Sequence, residues 1–198
     1  MHEKGVKIGF ALTGSHCTLA QVIKVLKDLS ENATHEITPI FSEAVYTTDT
    51  KFGLCSDWIK QVESITNKKI IYTIKGAEPI GPQKMFDCLV VAPCTGNTLA
   101  KICFGITDST VPMAVKAHLR NQRPVVIAIA TNDGLAANAK NIGLLLNRKN
   151  IYFVPFGQDD PIQKPNSLIA DFTQISDTIA LALQGKQIQP VLLKTKGD

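Results

Sequence analysis

The sequence predicts a single α/β domain built as a doubly wound, Rossmann-like parallel sheet with helices on both faces, three layers in all. Three observations point there. Apolar, strand-like runs alternate with segments whose apolar residues recur at helical spacing along nearly the whole chain. The runs at 88–92 and 124–130 are apolar at every position, as strands covered on both faces are. Finally, glycine and hydroxyl residues follow the runs directly, at the edge where such sheets carry ligands.

The elements follow in order. Residues 6–12 form an apolar strand that ends at Thr13-Gly14-Ser15. Leu19, Val22, Ile23, Leu26 and Leu29 then make one face of an amphipathic helix, with Gln21, Lys24, Lys27 and Asp28 on the other. Residues 36–41 form a second strand ending at Ser42. A less regular stretch, 43–66, contains a helix around 55–65 with Trp58 in the core. Residues 69–73 are expected to be a third strand, and 75–86, with two Gly and two Pro, mainly loop. After the strand at 88–92 come helices at 95–104 and 111–121, the strand 124–130, a helix at 135–147 and a strand at 151–155. One long helix, 167–183, closes a domain of residues 1–185. The tail 186–198 has no strong pattern; it is open to disorder or to docking on a neighbouring copy of the chain.

A chain of 198 residues can bury roughly 70% of its unfolded surface, so a core is available without staples. The 44% apolar and 19% charged composition is that of an ordinary globular domain. The net charge of +4 is spread over scattered lysines, with no basic run interleaved with aromatics, so no nucleic-acid partner is indicated. Five cysteines, without any C-x-x-C spacing, suggest neither a disulfide framework nor a metal site, and free thiols fit a reducing cytoplasm. The first residues lack the apolar core of a signal peptide, and no apolar run approaches the roughly 20 residues of a membrane span. A cytoplasmic protein with no membrane partner is expected.

Two strand-end turns carry the candidate chemistry. Thr13-Gly14-Ser15 leads straight into a helix, whose unpartnered N–H groups and positive dipole end attract anions. A serine or threonine that simply caps the helix explains the same residues, because the G-x-G-x-x-G fingerprint is absent. The second turn, Pro93 to Thr98, places Thr95, Asn97 and Thr98 within four positions. A cap needs only one of them, so a polar rim for a ligand is the alternative to a capped turn.

The stretch APCTGNTLAKICFGITDS resembles the flavoprotein family of homo-oligomeric flavin-containing cysteine decarboxylases. That family carries Pro-Ala-Ser/Thr-Ala-Asn-Thr, then Leu/Ile-Ala-Lys and Gly-Ile-Ala-Asp. IGFALTGSHC, ITPIFSEAV and RPVVIAIATNDGLAANAKNIGLL resemble its first, second and fifth strands with their turns, so the likeness spans most of the chain. It implies a flavin mononucleotide site. Gly14, Ser15 and Ser42 would hold the phosphate side, with His16 beside them. Pro93, Cys94, Thr95, Asn97 and Thr98 would line the ribityl and ring, and Thr131 and Asn132 would approach from the fifth strand.

Two positions depart from the family pattern. Decarboxylating members carry a proton-transferring His where this chain has Pro82, and Met where it has Thr131. The closer likeness, through TGSHCT, VVAPCTGNTLAK and ATNDGLAANAKNIG, is to a subgroup that works with a second, nucleotide-binding subunit. The implied reaction is the oxidation of a small cyclic dicarboxylate, with NAD(P) entering through that companion. Lys101, Lys84 and Arg123 are candidates to meet the carboxylates. No catalytic residue is assigned; the candidates are His16, Cys94 and Lys101. A helix N-terminus could activate Cys17, although packing accounts for it as well. A trimer or dodecamer is implied. Two rival readings stay open: an FMN-dependent decarboxylase of a peptidyl-cysteine-type substrate, and a non-catalytic partner protein with a vestigial flavin site.

Overall fold

The computed structural model describes residues 5–194. Its centre is a seven-stranded sheet, and the expected α/β doubly wound architecture is present. β1 (Val6–Leu12), β2 (His35–Phe41), β3 (Cys88–Cys94), β4 (Val125–Thr131) and β5 (Ile151–Phe153) are parallel, in the order β2-β1-β3-β4-β5. A short antiparallel hairpin, β6 (Phe156–Gly157) and β7 (Leu168–Ala170), adds to the carboxyl end of β4 through Ala130 and Thr131. Thus β4 serves two neighbours in succession, β5 along its first half and β7 at its end.

The central strands hold together because both faces are covered. Every residue of β3 is buried, as is all of β4 except Thr131. The helices are α1 (Leu19–Ser30), α2 (Glu43–Thr47), α3 (Cys55–Thr66), α4 (Ile74–Ala77), α5 (Gly96–Phe104), α6 (Thr110–Leu119), α7 (Ala139–Leu146) and α8 (Ile175–Ala182). α1 buries Leu19, Val22, Ile23, Leu26 and Leu29, the stripe its sequence spacing specifies. Gly9 lies within β1 because an added Cβ would come within 2.6 Å of the Phe86 ring, which fills that space. Among the described residues no helix is long and apolar enough to cross a membrane.

Several expected elements differ. The strand at 69–73 is reduced to one parallel bridge, Ile71 to Ile40. Only Ile70 of that run is buried, and Thr73 turns the chain by accepting from Gly76 N at 3.0 Å to start α4. The helix at 135–147 begins four residues late, because the Asp133 carbonyl first accepts from Ala136 N and Asn138 N. The long helix at 167–183 is divided. Leu168 and Ala170 are buried and Ile169 only partly, a strand pattern, and they pair with β4. Asp171 then accepts from Thr173 N at 3.1 Å, opening a 3₁₀ turn that leads into α8.

Residues 186–194 return to their own chain. The Gln187 side chain accepts from Phe153 N at 2.8 Å and donates to Phe153 O at 2.7 Å, imitating a neighbouring strand on the free edge of β5. Phe156 N donates to Val191 O, and Leu193 N to Phe156 O. The rest of the expected tail, 195–198, lies outside the described residues.

Candidate functional site

In the strand order, β1 and β3 lie side by side while the chain leaves them toward opposite edges of the sheet. Such a switch point opens a crevice at the carboxyl ends of the strands. Here it is a cleft of about 480 Å³. Gly14, Ser15 and His16 line it after β1, Thr95 and Gly96 after β3, and Thr131, Asn132 and Asp133 at the end of β4 and just beyond it.

Thr13 fixes the first two loops to each other. Its hydroxyl donates to Pro93 O at 2.6 Å and accepts from Thr95 N at 3.0 Å, with only 1% of the residue exposed. The next residues form a tight turn. Ser15 N donates to Thr13 O, and Thr18 donates to Ser15 O through both N and Oγ1. Thr18 Oγ1 also reaches Ser15 Oγ at 3.1 Å. A 3₁₀ turn, His16–Thr18, then runs into α1. A Cβ on Gly14 would sit 3.1 Å from Ala44 Cβ and 3.6 Å from His16 Nε2, so the backbone, His16 and the start of α2 crowd one corner.

Two polar atoms near that corner are unpaired, one on His16 of the cleft lining and one on Ser42, which precedes α2 and lies outside the lining. Ser42 N extends the β1–β2 ladder by donating to Leu12 O at 2.9 Å, but its hydroxyl is buried with no hydrogen-bond partner. His16 Nδ1 is likewise buried and unpartnered. Buried polar groups are normally satisfied, so a pair of orphans beside a helix start suits a polar ligand group.

The opposite wall is a hydrogen-bond network built around Gly96. Thr131 Oγ1 donates to Asp133 Oδ1 at 2.5 Å, and Asn138 Nδ2 donates to both Asp133 oxygens at 2.9 and 2.8 Å. Asn141 Nδ2 supports Asn138 Oδ1 at 2.8 Å. A Cβ on Gly96 would lie 2.5–2.6 Å from Thr131 Oγ1, Asn138 Nδ2 and Asp133 Oδ1. Only glycine lets the α5 N-terminus meet this network. Thr95 caps α5, accepting from Thr98 N at 3.4 Å.

Of the residues singled out in the sequence, Gly14, Ser15, His16, Thr95, Thr131 and Asn132 therefore share one cleft. Pro93, Cys94 and Thr98 are buried beneath it, and Asn97 is exposed on α5 outside the lining. Cys94 Sγ is fully buried, and burial pushes its thiol pKa up, so it stays protonated. Cys17 is exposed at the rim of the cleft. Lys101 points elsewhere: it pairs with Asp108 at 2.8 Å, and the ammonium holds the Asp108 carboxyl below its ordinary value. Arg123 donates to Lys84 O and Phe86 O and pairs with Asp87 at 3.4 Å, tying down the segment before β3. Pro82 is exposed in a separate groove beside α5 and α6.

Among the lining residues to which the sequence gives no site role, Asp133, Phe52, Lys164 and Ser167 bear on the chemistry. Asp133 was visible in Thr-Asn-Asp, but its role depends on Asn138 and Gly96. Phe52, from the irregular stretch, is 47% exposed at the mouth. Lys164 and Ser167 arrive through the β6–β7 loop, where Lys164 pairs with Asp159 at 3.3 Å. No strand-end rule points to that loop, because its second strand lies inside the stretch whose spacing predicts the 167–183 helix.

Comparison with known proteins places this geometry among relatives. A family model described as Flavoprotein matches residues 1–184. The chain is 46% identical over 191 residues to the B subunit of dipicolinate synthase from Bacillus subtilis (strain 168), covering 96% of this chain and 95% of that one. The crystal structure of the corresponding B subunit of dipicolinate synthase from Bacillus halodurans C superposes with a TM-score of 0.88 at 48% identity, covering 98% and 99% of the two chains. The FMN-dependent cysteine decarboxylase SpaF shares the fold, with a TM-score of 0.67 at 21% identity over 91% and 97%. The chain belongs to the Flavoprotein family.

Proposed function

We propose that this chain serves as the B subunit of a dipicolinate synthase and binds flavin mononucleotide in the switch-point cleft. It acts with a nicotinamide-nucleotide-binding A subunit to oxidise dihydrodipicolinate to dipicolinate in the mother-cell cytoplasm of a sporulating bacterium. The observation that carries this reading is the near-full-length likeness to the Bacillus subtilis protein. Loss of two electrons and two protons aromatises the ring, which drives the reaction forward.

The residues present fit a phosphate-bearing cofactor. The unpaired Ser42 Oγ and His16 Nδ1 offer polar atoms that the protein leaves unused. Gly14 and Ser15 bring backbone and hydroxyl to the same corner, at the start of a helix. These four would hold the phosphate. Thr95, Thr131 and Asn132 would border the ribityl and ring, backed by Pro93, Cys94 and Thr98, with Asn97 flanking them. Flavin held there supplies a two-electron acceptor. On the protein side, His16 is the one catalytic candidate that lines the cleft, where an imidazole can donate to an anion or carry the proton released by the substrate. Lys164 brings a cation to the same space, where a substrate carboxylate would have to share it with Asp159.

Two measurements test the reading. The purified protein should show the visible absorbance of oxidised flavin and release FMN on denaturation. Dihydrodipicolinate oxidation should need both subunits. Full activity from the A subunit alone would remove the catalytic role, leaving the non-catalytic partner that the departures at Pro82 and Thr131 favour. Carbon dioxide release from a pantothenoyl-cysteine substrate would instead restore the decarboxylase reading, which Pro82 opposes because proline has no proton to transfer.

A further inference from the structure

A second groove, of about 630 Å³, runs between α5 and α6 on a different part of the surface from the cofactor cleft. Its floor is apolar, formed by Ile102, Pro112 and Val115 with the partly exposed Met113 and Leu119. Ile106, 47% exposed, extends the apolar surface to one end. Four cations surround it: Lys101 from α5, Lys116 and Arg120 from α6 and the turn after it, and Arg148 beyond α7. Glu78 is the sole acid in the lining.

The cations differ in how far they are already engaged. Lys101 is neutralised by Asp108. Among the described residues no ion pair involves Lys116, Arg120 or Arg148. Arg148 reaches only the Ile102 carbonyl, at 3.3 Å. Lys116 and Arg120 are exposed and stand four residues apart, so they project from one face of α6 as a matched pair. Carboxylates spaced by one turn on another helix can meet them in register.

The charge also selects among occupants. A second copy laid groove to groove would bring together two cation-rich rims, each with Glu78 as the sole acid of the lining, which is unfavourable. A small anion would find its unpaired cations on long exposed stems, with no buried polar side chain to fix it. An acidic helix with one apolar face satisfies both the floor and the rim. We propose that this groove docks an acidic amphipathic segment of the companion A subunit. This inference rests on the reading of the chain as a B subunit.

The test uses the purified A and B subunits and measures their affinity by calorimetry at low and high salt. Lys116→Glu/Arg120→Glu should weaken the complex about tenfold or more and flatten its salt dependence. The milder Lys116→Gln/Arg120→Gln, which keeps good helix formers, should fall between. A control, Lys24→Glu/Lys27→Glu on α1, changes net charge equally and should leave affinity within twofold. Equal weakening by the α1 pair, or unchanged binding by the α6 pair, would overturn the proposal while leaving the B-subunit reading intact. A changed sedimentation mass of the isolated α6 variant would make the groove a contact between copies, which also overturns it. Failure of the unaltered subunits to associate would remove the B-subunit reading and this inference with it.

Discussion

Replacing Asp133 with Ala tests whether the Gly96 network holds the far wall of the cleft. The carboxylate accepts from Thr131 Oγ1 and, through both oxygens, from Asn138 Nδ2. The two donors lose different amounts. Thr131 is partly exposed and can turn to water, whereas Asn138 is only 4% exposed. An unsatisfied buried donor costs about 1–3 kcal/mol, and bonds to a charged acceptor stand at the upper end. Asp133→Ala should therefore lose about 2–4 kcal/mol. For a domain of this size that lowers Tm by roughly 4–16 °C. Asp133→Asn keeps the shape and one acceptor oxygen, so it should lose about half as much. Gly96→Ala forces a methyl into the same atoms and should cost about 1–3 kcal/mol by overpacking. In the double variant one of its three obstacles is gone, so the two losses should fall short of additivity by at least about 0.5 kcal/mol. Chemical denaturation of all four proteins measures the cycle. A loss under about 0.5 kcal/mol for Asp133→Ala, or strict additivity, would refute the network as a structural unit.

Three further outcomes are expected. Ser42→Ala removes a buried hydroxyl without a partner, so the flavin-free protein should melt at or slightly above the unaltered temperature while FMN dissociation rises about ten- to hundredfold; a fall in apo stability with unchanged FMN affinity would contradict the assignment. His118 is fully buried, and its Nε2 lies 3.0 Å from Pro124 O while Nδ1 has no partner, so burial pushes its pKa down to about 4. A lowered histidine pKa gives stability that is complete above the unfolded value near 6.5 and is lost as pH falls through the folded value. His118→Gln should therefore lack about 3 kcal/mol of the decline seen between pH 6.5 and 4, and parallel curves for the two proteins would exclude the mechanism. Gln187→Ala should speed hydrogen exchange at the Phe153 amide and expose 186–194 to protease, whereas retained protection would show that the tail is held by other contacts.

Much of the scaffold is legible in the sequence because its signals are local. β1 from Ile8, β3, and β4 up to Ala130 are apolar runs buried at every position, and α1 displays its buried stripe in five residues. The run at 69–73 looks equally apolar in part, but only its place at the sheet edge limits it to a bridge. Residues 168–170, Leu-Ile-Ala, are apolar throughout and show no alternation in the sequence; they become a strand only because the end of β4 is free to pair.

The candidate site divides in the same way. The strand ends and the turns that follow them are legible in the sequence, and with them part of both cleft walls, Gly14 to His16 on one side and Thr95 with Thr131 and Asn132 on the other. Local periodicity marks where a strand stops, and the sheet class states which edge carries a ligand. Only tertiary contacts leave Ser42 and His16 with unpaired buried atoms, bring Asp133 against Gly96, bury Cys94 beneath the cleft and turn Lys101 to Asp108. Those outcomes depend on which side chains converge from distant segments and exclude water. Pairing and burial across the folded sheet set that convergence, and no local pattern encodes it.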